Sequence, residues 1–348
     1  MKKIRLGIMG FGHIGRQLYH LASSSEAFEI SAVVDIGDPE ILRYLLATEA
    51  PEGSEYLLED NYLHNGKFST RMLSSDQPSE VPWDVFAVDL VIDATGRFGR
   101  REDMQSHLDN GARRVLLSTL PMDHIDRVIL RGINDDSISE EDRMISGGSA
   151  TTEALGLALQ AFSEQVDIAS ASMTSVHAYT SDQSLQDYAG PDYRRSRSAP
   201  ENIIPNTTLA PFWVQRILPG FRDKLDGFAL NVPVQRGSLL DLNLVLEDEN
   251  FSAADATQLM LGASQALPDL IGAASDPIVS SDVLGCSQSL LFDLKATTKA
   301  GKRTLKVLGW YESLGHASRL LEVARTYASL KQPPDARPTT TTLGGDQP

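Results

Sequence analysis

Cysteine is almost absent from this chain, since Cys286 is the only one among 348 residues. A single thiol excludes an intrachain disulfide framework, so a cytoplasmic location is the default expectation. No apolar run approaches the roughly 18 residues that a membrane-spanning helix needs. Residues 1–30 also lack the apolar core and the cleavage site of a signal peptide. The sequence therefore predicts no membrane partner, and Cys286 is interpreted as a buried, inert thiol rather than a nucleophile.

Positive charge is scarce as well: 31 lysines and arginines stand against 47 aspartates and glutamates, for a formal net charge of −16. Because binding to a nucleic acid needs a basic surface, a nucleic-acid partner is excluded. A small anion held by a local group of arginines is still compatible with this charge. No grouping of histidine, cysteine and carboxylate residues has the spacing of a metal site. With 41% hydrophobic residues, the chain has an ordinary globular composition and is long enough for two domains.

A glycine pattern typical of dinucleotide-binding proteins follows the first apolar segment. Residues 4–9 read as a short buried strand, and G-x-G-x-x-G comes directly after it, with Gly10, Gly12 and Gly15 where a helix begins. The first glycine permits a tight turn, the second lets the backbone approach a pyrophosphate, and the third lets the helix pack on the sheet. The N–H groups at the helix N-terminus then face the anion.

A carboxylate stands where the ribose of such a cofactor would bind. The second predicted strand, residues 28–34, ends at Asp35, which lies 20 residues after Gly15. Asp35 would accept hydrogen bonds from the ribose and repel a 2′-phosphate, and no arginine follows it directly. The sequence therefore predicts NAD rather than NADP; an aspartate that merely caps the next helix is the alternative.

The two halves of the chain carry different strand patterns. Strands alternate with helices through the first half, which predicts a doubly wound parallel sheet. The second half begins with a helix predicted from about Ala150 to Phe162, with Ser149 as its N-cap. The strands predicted after it are residues 170–176, two within 228–247, 278–279, 289–293 and 304–308. The predicted fold is therefore α/β: a Rossmann-type doubly wound NAD-binding domain plus an α+β catalytic domain with a mainly antiparallel sheet.

Two short segments carry a recognisable pattern: residues 146–153 read S-G-G-S-A-T-T-E and residues 176–183 read V-H-A-Y-T-S-D-Q. They resemble the active site of the glyceraldehyde-3-phosphate dehydrogenase family, which reads roughly S-N-A-S-C-T-T-N and V-H-A-Y-T-x-D-Q. The second segment is intact and contains His177, whereas the catalytic cysteine of the first is Ala150. An alanine methyl group neither ionises nor attacks a carbonyl, so the resemblance implies that the thioester chemistry of the family is absent here.

The resemblance covers about residues 3–330 and implies where the cofactor binds. The glycine turn resembles the family's G-F-G-R-I-G-R, with His13 in place of an arginine, and the later A-T-G-R-F resembles its S-T-G-R-F. The residues expected to contact NAD are Gly10, Phe11, Gly12, His13, Ile14, Gly15, Asp35, Thr95, Gly96, Arg97, Ser118, Thr119 and Ser313.

The resemblance also implies a domain organisation and an assembly. The NAD-binding domain would span residues 1–149 and be completed by a C-terminal helix at 317–331, with the catalytic domain at 150–316. Residues 181–205 resemble the family's S-loop, which packs against cofactors across a tetramer interface, so a homotetramer with a small-molecule substrate is expected. The tail 332–348 has little to bury and is predicted to be disordered.

The family's substrate residues are only partly kept. Asn231 stands where the family has an arginine that grips the substrate phosphate, Leu209 replaces a glycine at the attacking-phosphate site, and Ser313 stands near an asparagine that orients the nicotinamide. Loss of the arginine removes charged hydrogen bonds worth roughly 1.5–3 kcal/mol each. Arg195 would hold substrate or make a subunit contact. The residues expected to bind substrate are Ser149, Thr151, Thr180, Arg195, Thr208 and Asn231.

Three hypotheses about function follow. In the first, the protein is an NAD-dependent oxidoreductase in which His177 is the acid/base for direct hydride transfer at a small hydroxy or oxo substrate. In the second, it is a non-catalytic NAD-binding protein that accompanies or regulates a true dehydrogenase. In the third, Ala150 is an engineered change that traps a divergent thiol enzyme, although one such change would not explain Asn231, Leu209 and Ser313.

Glu153, where the family has an asparagine, also has two interpretations. In the first turn of the predicted helix its carboxylate suits the helix dipole, and the position favours this interpretation. The alternative is a new acid or base at the reaction site.

Overall fold

The computed structural model describes residues 3–50, 52–180 and 183–331, which form two sheets with helices packed on them. The tail predicted to be disordered lies outside the described residues, as do Ser181 and Asp182 at the start of the predicted S-loop. The α/β fold with a Rossmann-type domain and a second, mostly antiparallel sheet is confirmed.

The first sheet has nine strands in the order β3-β4-β5-β2-β1-β6-β7-β9-β8. Its strands are β1 (Ile4–Met9), β2 (Phe28–Asp35), β3 (Leu57–Glu59), β4 (Tyr62–His64), β5 (Ser69–Ser74), β6 (Leu90–Asp93), β7 (Val115–Leu117), β8 (Arg127–Val128) and β9 (Met144–Ser146). The pairs of β1 with β2 and β6 are parallel, so the strand order reverses at β1. A crevice opens at such a switch point, beyond the carboxyl ends of the strands, and the glycine turn lies there.

Helices cover both faces of this sheet because its central strands are continuous apolar runs that must be buried on both sides. The helices of this region are α1 (His13–Ser23), α2 (Pro39–Thr48) and α3 (Arg101–Asp109). Helix α2 begins at Pro39, and the Asp38 side chain caps it by accepting hydrogen bonds from backbone N–H groups of the first turn. This cap favours a helix over a continuation of strand β2.

The second sheet has seven strands in the order β11-β12-β10-β13-β16-β15-β14. Its strands are β10 (Ile168–Ala178), β11 (Ile204–Asn206), β12 (Leu225–Val232), β13 (Ser238–Leu246), β14 (Ile271–Ala274), β15 (Leu290–Ala300) and β16 (Thr304–Tyr311). Strands β12 and β13 flank β10, the first in parallel and the second antiparallel. The apolar side chains of one face pack beneath α4 (Ala150–Ser163), α5 (Ala210–Ile217) and α6 (Ala253–Ala266).

The last helix, α7 (Ser313–Ser329), returns to the first domain, as predicted. Its apolar side chains belong to the core formed by β1, β2 and α1. The buried guanidinium of Arg114, at the edge of β7, donates to the carbonyl oxygens of Tyr327, Leu330 and Lys331 and so anchors the end of the helix. The helix begins four residues earlier than predicted, because the Glu312 carboxylate caps it by accepting from the Leu314 N–H.

One predicted strand is wrong. Ile278 and Val279 lie in a segment without regular structure, and β14 forms earlier, at Ile271–Ala274. Pro277 cannot donate to a strand neighbour, and the Val279 N–H is taken by the Asp282 carboxylate at 2.7 Å. No helix among the described residues is long and apolar enough to cross a membrane.

Candidate active site

A cleft of about 880 Å³ lies between the two domains, at the carboxyl ends of β1 and β10. It brings the predicted cofactor residues and the two predicted catalytic positions to one place. The predicted residues in its wall are Gly10, Gly12, His13, Ile14, Asp35, Thr95, Gly96, Arg97, Thr119, Ala150, His177, Thr180 and Ser313. Phe11, Gly15 and Ser118 are not part of this wall.

The glycine turn has the shape that a dinucleotide needs. Gly10 has φ +91°, which favours glycine, and a Cβ on Gly15 would come within 2.1 Å of the Gly10 carbonyl oxygen. A Cβ on Gly12, in contrast, would meet nothing within 4 Å, so the backbone there faces open space at the N-terminus of α1. This space and the free N–H groups beside it fit a pyrophosphate.

Asp35 is held rigidly at the end of β2. Its Oδ2 accepts from the Phe11 N–H at 2.6 Å, and its Oδ1 accepts from the Gly37 N–H at 2.8 Å. The Phe11 ring is fully buried, so that residue contributes its backbone alone. The carboxylate therefore joins the end of β2 to the glycine turn and lies in the cleft wall.

The loop after β6, which carries Thr95, rests on a chain of buried side chains that the sequence did not reveal. Asp93 Oδ1 accepts from both the N–H and the hydroxyl of Thr95, and Asp93 Oδ2 lies 3.2 Å from His107 Nε2. Because Trp83 Nε1–H donates to His107 Nδ1 at 3.0 Å, a neutral His107 carries its proton on Nε2 and donates to Asp93. This chain of hydrogen bonds holds the loop that carries Thr95 in place.

His177 is the next-to-last residue of β10 and is half-buried in the cleft wall. Its Nδ1 lies 2.6 Å from the Ala178 carbonyl oxygen, which can only accept, so Nδ1 carries a proton. In the neutral ring Nε2 then holds a lone pair, which is the form that a general base needs. The ring packs edge-on against Tyr311, with 6.1 Å between centroids.

Tyr311 supports His177 from beneath and was not predicted. Its hydroxyl lies 2.6 Å from Ser175 Oγ and 3.0 Å from Thr151 Oγ1. Complete burial raises the pKa of Tyr311, so the phenol stays neutral. Thr151 therefore serves Tyr311, and its side chain is not part of the cleft wall.

Ala150 begins α4, lines the cleft and packs against the core of the second domain. Ser149 is the N-cap, as predicted, since its side chain accepts from the Thr152 N–H at 3.2 Å. The Ser149 hydroxyl also contacts the Thr152 hydroxyl at 2.7 Å, so it is occupied by the cap. The hydroxyls of the two neighbours, Ser149 and Thr151, are therefore bound elsewhere, and neither takes the place of a thiol at position 150.

Other residues expected to bind substrate form a separate polar chain. Asn231 is buried beside His177 in the β10–β12 register, and its Oδ1 accepts from Asn206 Nδ2 at 3.1 Å. Arg195 in turn donates to Asn206 Oδ1 from Nη2 at 2.7 Å and from Nε at 3.1 Å. The Thr208 hydroxyl accepts from the Ala210 N–H at the start of α5. Among the residues expected to bind substrate, only Thr180 lines the cleft.

Glu153 lies in the first turn of α4, as the favoured interpretation requires, but its carboxylate is buried and has side-chain partners. Only 2% exposed, it lies 3.1 Å from His316 Nδ1 and accepts from the Ser289 hydroxyl at 3.1 Å. His316 Nε2 donates to the Ser118 carbonyl oxygen at 2.7 Å. The pair thus ties the first turn of α4 to α7 and to the end of β7. No feature of the sequence paired these two residues.

One shared proton lies between Glu153 and His316. Burial raises the pKa of Glu153. Burial would lower the pKa of His316, but the Glu153 carboxylate outweighs it and raises that pKa. His316 Nε2 already carries a proton, which it donates to the Ser118 carbonyl oxygen. The contact between His316 Nδ1 and Glu153 Oε1 then holds one further proton. That proton lies either on the imidazole, giving an imidazolium beside a carboxylate, or on Glu153, giving a neutral imidazole beside a carboxylic acid. Both shifts favour retention of this proton as pH rises.

Ser313 lies in the cleft wall, but its hydroxyl is occupied. It donates to Glu312 Oε1 at 2.9 Å, accepts from Gln17 Nε2 at 3.2 Å and lies 2.9 Å from His13 Nε2. Because the hydroxyl proton goes to Glu312, a neutral His13 donates from Nε2. Burial lowers the pKa of His13, which favours this neutral form.

Two models of a single family match this chain. The model described as glyceraldehyde 3-phosphate dehydrogenase, NAD binding domain, matches residues 4–101, and the model of its C-terminal domain matches residues 149–313. The chain belongs to the glyceraldehyde-3-phosphate dehydrogenase family. An NAD-binding domain of that family is therefore present, and the family is one of oxidoreductases.

Relatives in this family are similar along nearly the whole chain. Glyceraldehyde-3-phosphate dehydrogenase 1 of Streptomyces avermitilis is 35% identical over 327 residues, covering 92% of this chain and 97% of the relative. The Geobacillus stearothermophilus enzyme is 34% identical over 332 residues, covering 94% and 98%. The Haloarcula vallismortis enzyme is 34% identical over 330 residues, covering 92% and 97%.

Among the described residues, no group of three or more histidine, cysteine or carboxylate side chains could hold a metal ion.

Proposed function

We propose that this protein is an NAD-dependent oxidoreductase that transfers a hydride without a cysteine nucleophile. One observation carries the proposal: His177, with Nδ1–H bound to a carbonyl, shares a cleft with the dinucleotide turn and with the alanine at position 150. An acid/base remains at the reaction site, whereas the group that would form a thioester does not.

The reaction balances with His177 as the only group that moves a proton. His177 Nε2 takes the hydroxyl proton of an alcohol, and the C–O bond becomes a carbonyl as the carbon loses a hydride. NAD, when bound, supplies the hydride acceptor. Reduction of the carbonyl follows the same path backwards, with protonated His177 as the acid. Thr180 lies in the same wall as a polar contact for the substrate.

The substrate is proposed to be smaller or less phosphorylated than a triose phosphate. Asn231 carries no charge, and its carbonyl oxygen is already bound to Asn206. Leu209 is 52% exposed at the start of α5 and adds bulk where the family has a glycine. A panel of small hydroxy and oxo acids, assayed for formation or loss of NADH, tests the proposal directly.

A non-catalytic NAD-binding protein is the second candidate, and Ser313 favours it. Its hydroxyl is already bound to Glu312, Gln17 and His13, so it has little capacity left to orient a nicotinamide amide. If NADH binds but no hydroxy or oxo compound turns over, this candidate replaces the first.

Restoring the thiol is not expected to restore the chemistry of the family. The variant Ala150→Cys should fail to produce NADH from a triose phosphate and phosphate at ordinary enzyme rates, on the order of 10 s⁻¹, because Asn231 and Leu209 weaken both anion positions independently. Stopped-flow or steady-state absorbance measures this, with Ala150→Ser as the matched control. Efficient phosphate-dependent oxidation would instead show that Ala150 is the only missing part, as in a trapped thiol enzyme.

NAD is proposed rather than NADP. The Asp35 carboxylate is fixed by two backbone N–H groups at the ribose position, and a 2′-phosphate placed there would be repelled. The cytoplasmic location stays a prediction from the sequence.

A homotetramer is proposed, with the segment after β10 at an interface. This segment exposes large apolar side chains, including Leu185 at 69%, Tyr193 at 98% and Ile203 at 64%, which is unusual for a surface that stays in water. Multi-angle light scattering at micromolar concentration should give about four times the 37.9 kDa mass of one chain. A monomer under these conditions would contradict the proposal.

A further inference from the structure

A cationic side chain from the catalytic domain reaches the dinucleotide turn. Arg236 lies in the connection between β12 and β13 and lines the cleft. Its side chain is 48% exposed, and its nearest carboxylate is Glu49, with 3.8 Å from Nη2 to Oε1. Within the described part of the chain, its guanidinium makes no hydrogen bond. The Arg236 side chain is therefore positioned by its ion pair with Glu49, while its N–H groups are free to bind a ligand.

Glu49 locates Arg236 relative to helix α1. The Glu49 carboxylate accepts from Arg16 Nη2 at 2.8 Å and from Arg16 Nε at 3.1 Å, and its Oε1 is 3.8 Å from His13 Nδ1. Arg16 also donates to the Phe11 carbonyl oxygen in the glycine turn. Arg236 Nη2 and His13 Nδ1 thus lie 3.8 Å from the same carboxylate oxygen, so Arg236 is near the N-terminus of α1, where the space in front of Gly12 is open.

The other cations of this wall are committed elsewhere. All three nitrogen groups of the Arg16 guanidinium are hydrogen-bonded, to Glu49 and to Phe11. His13 is kept neutral by burial, which lowers its pKa. The Arg97 guanidinium lies over the Phe98 ring, 5.5 Å from its centroid, on the loop after β6. A pyrophosphate carries two negative charges, and a helix N-terminus alone supplies about half a positive charge.

We propose that Arg236 binds the pyrophosphate of NAD from the catalytic-domain side of the cleft. The proposal rests on the binding of NAD in this cleft, as proposed above. Because the guanidinium and the glycine turn belong to different domains, the bound cofactor then links the two domains through its phosphates.

The test is the affinity of the full-length protein for three ligands that differ in phosphate. NADH binding is titrated by its fluorescence, and ADP-ribose and adenosine are titrated as competitors. Arg236→Gln should weaken NADH and ADP-ribose by about 10-fold each, because both contain the pyrophosphate. Adenosine affinity should stay unchanged. Arg236→Lys should recover part of the lost affinity, since lysine keeps the positive charge but lacks the planar guanidinium that binds a phosphate through two N–H groups.

Arg222→Gln is the matched control, because Arg222 is an exposed arginine of the same domain outside the cleft wall, and it should change none of the three affinities. Equal NADH affinity in Arg236→Gln and the unaltered protein would overturn this inference alone. So would an equal loss for adenosine, which would indicate a distorted site. If the unaltered protein does not bind NADH at all, the proposed function fails together with it.

Discussion

Replacing His177 by alanine is expected to lower turnover at least about 100-fold, once a substrate has been found among the hydroxy and oxo compounds. Removal of the imidazole takes away the Nε2 lone pair, which is left free because Nδ1–H binds the Ala178 carbonyl oxygen. NADH affinity should change little, because His177 binds the Ala178 carbonyl and packs on Tyr311 rather than on the glycine turn. Steady-state kinetics and an NADH titration on the same preparation measure both quantities.

His124→Ala provides the comparison, since His124 is an exposed histidine outside the cleft and should retain full turnover. Full activity in His177→Ala would remove His177 from the mechanism. A loss of NADH affinity as large as the loss of turnover would instead show that the substitution had collapsed the cleft.

Breaking the Glu153–His316 pair is expected to cost the largest amount of stability, about 3–5 kcal/mol for His316→Leu. The two side chains are 2% and 5% exposed, so Glu153 would be left with a buried carboxyl and no basic partner in contact. Glu153→Gln should cost far less, because its amide can donate to a neutral His316 Nδ1 while Nε2 still donates to Ser118. Urea unfolding gives the free energies, with exposed His124→Leu as the control.

The same pair should make stability fall as pH rises. Both folded pKa values are raised, so near neutral pH the folded pair holds one proton that the unfolded chain has largely released. Its stabilisation is complete below the unfolded histidine pKa of about 6.5 and is lost as pH rises through the folded value, by up to about 1.4 kcal/mol per pH unit. Glu153→Gln should flatten this slope above about pH 6.5.

Two outcomes would contradict this account of the pair. One is an unfolding free energy of His316→Leu within about 1 kcal/mol of the unaltered protein, which is the range of many harmless substitutions. The other is an equal pH slope in Glu153→Gln and the unaltered protein, which would place the shared proton elsewhere.

The features that the sequence determined are those set by neighbouring residues. The turn at Gly10, the close contact of Gly15, the cap at Ser149 and the strand end at Asp35 depend on backbone conformation over a few positions, and all are as predicted. The family resemblance adds the two-domain architecture, because its motifs fall in the required order. The strand predicted at Ile278–Val279 failed because a proline and a side-chain cap override the weak propensity of two apolar residues.

The contacts that decide the chemistry were left to the tertiary structure, because they join residues far apart in the chain. Glu153 and His316 are separated by 163 positions and meet only because α7 packs against the first turn of α4. Ser313 reaches Gln17 and His13 across about 300 positions, and Arg236 reaches Glu49 across the cleft. The sequence pattern of a single helix or strand indicates which of its side chains face the core. It does not indicate which residue pairs with a buried charge, because that pairing depends on how the helices and strands pack together.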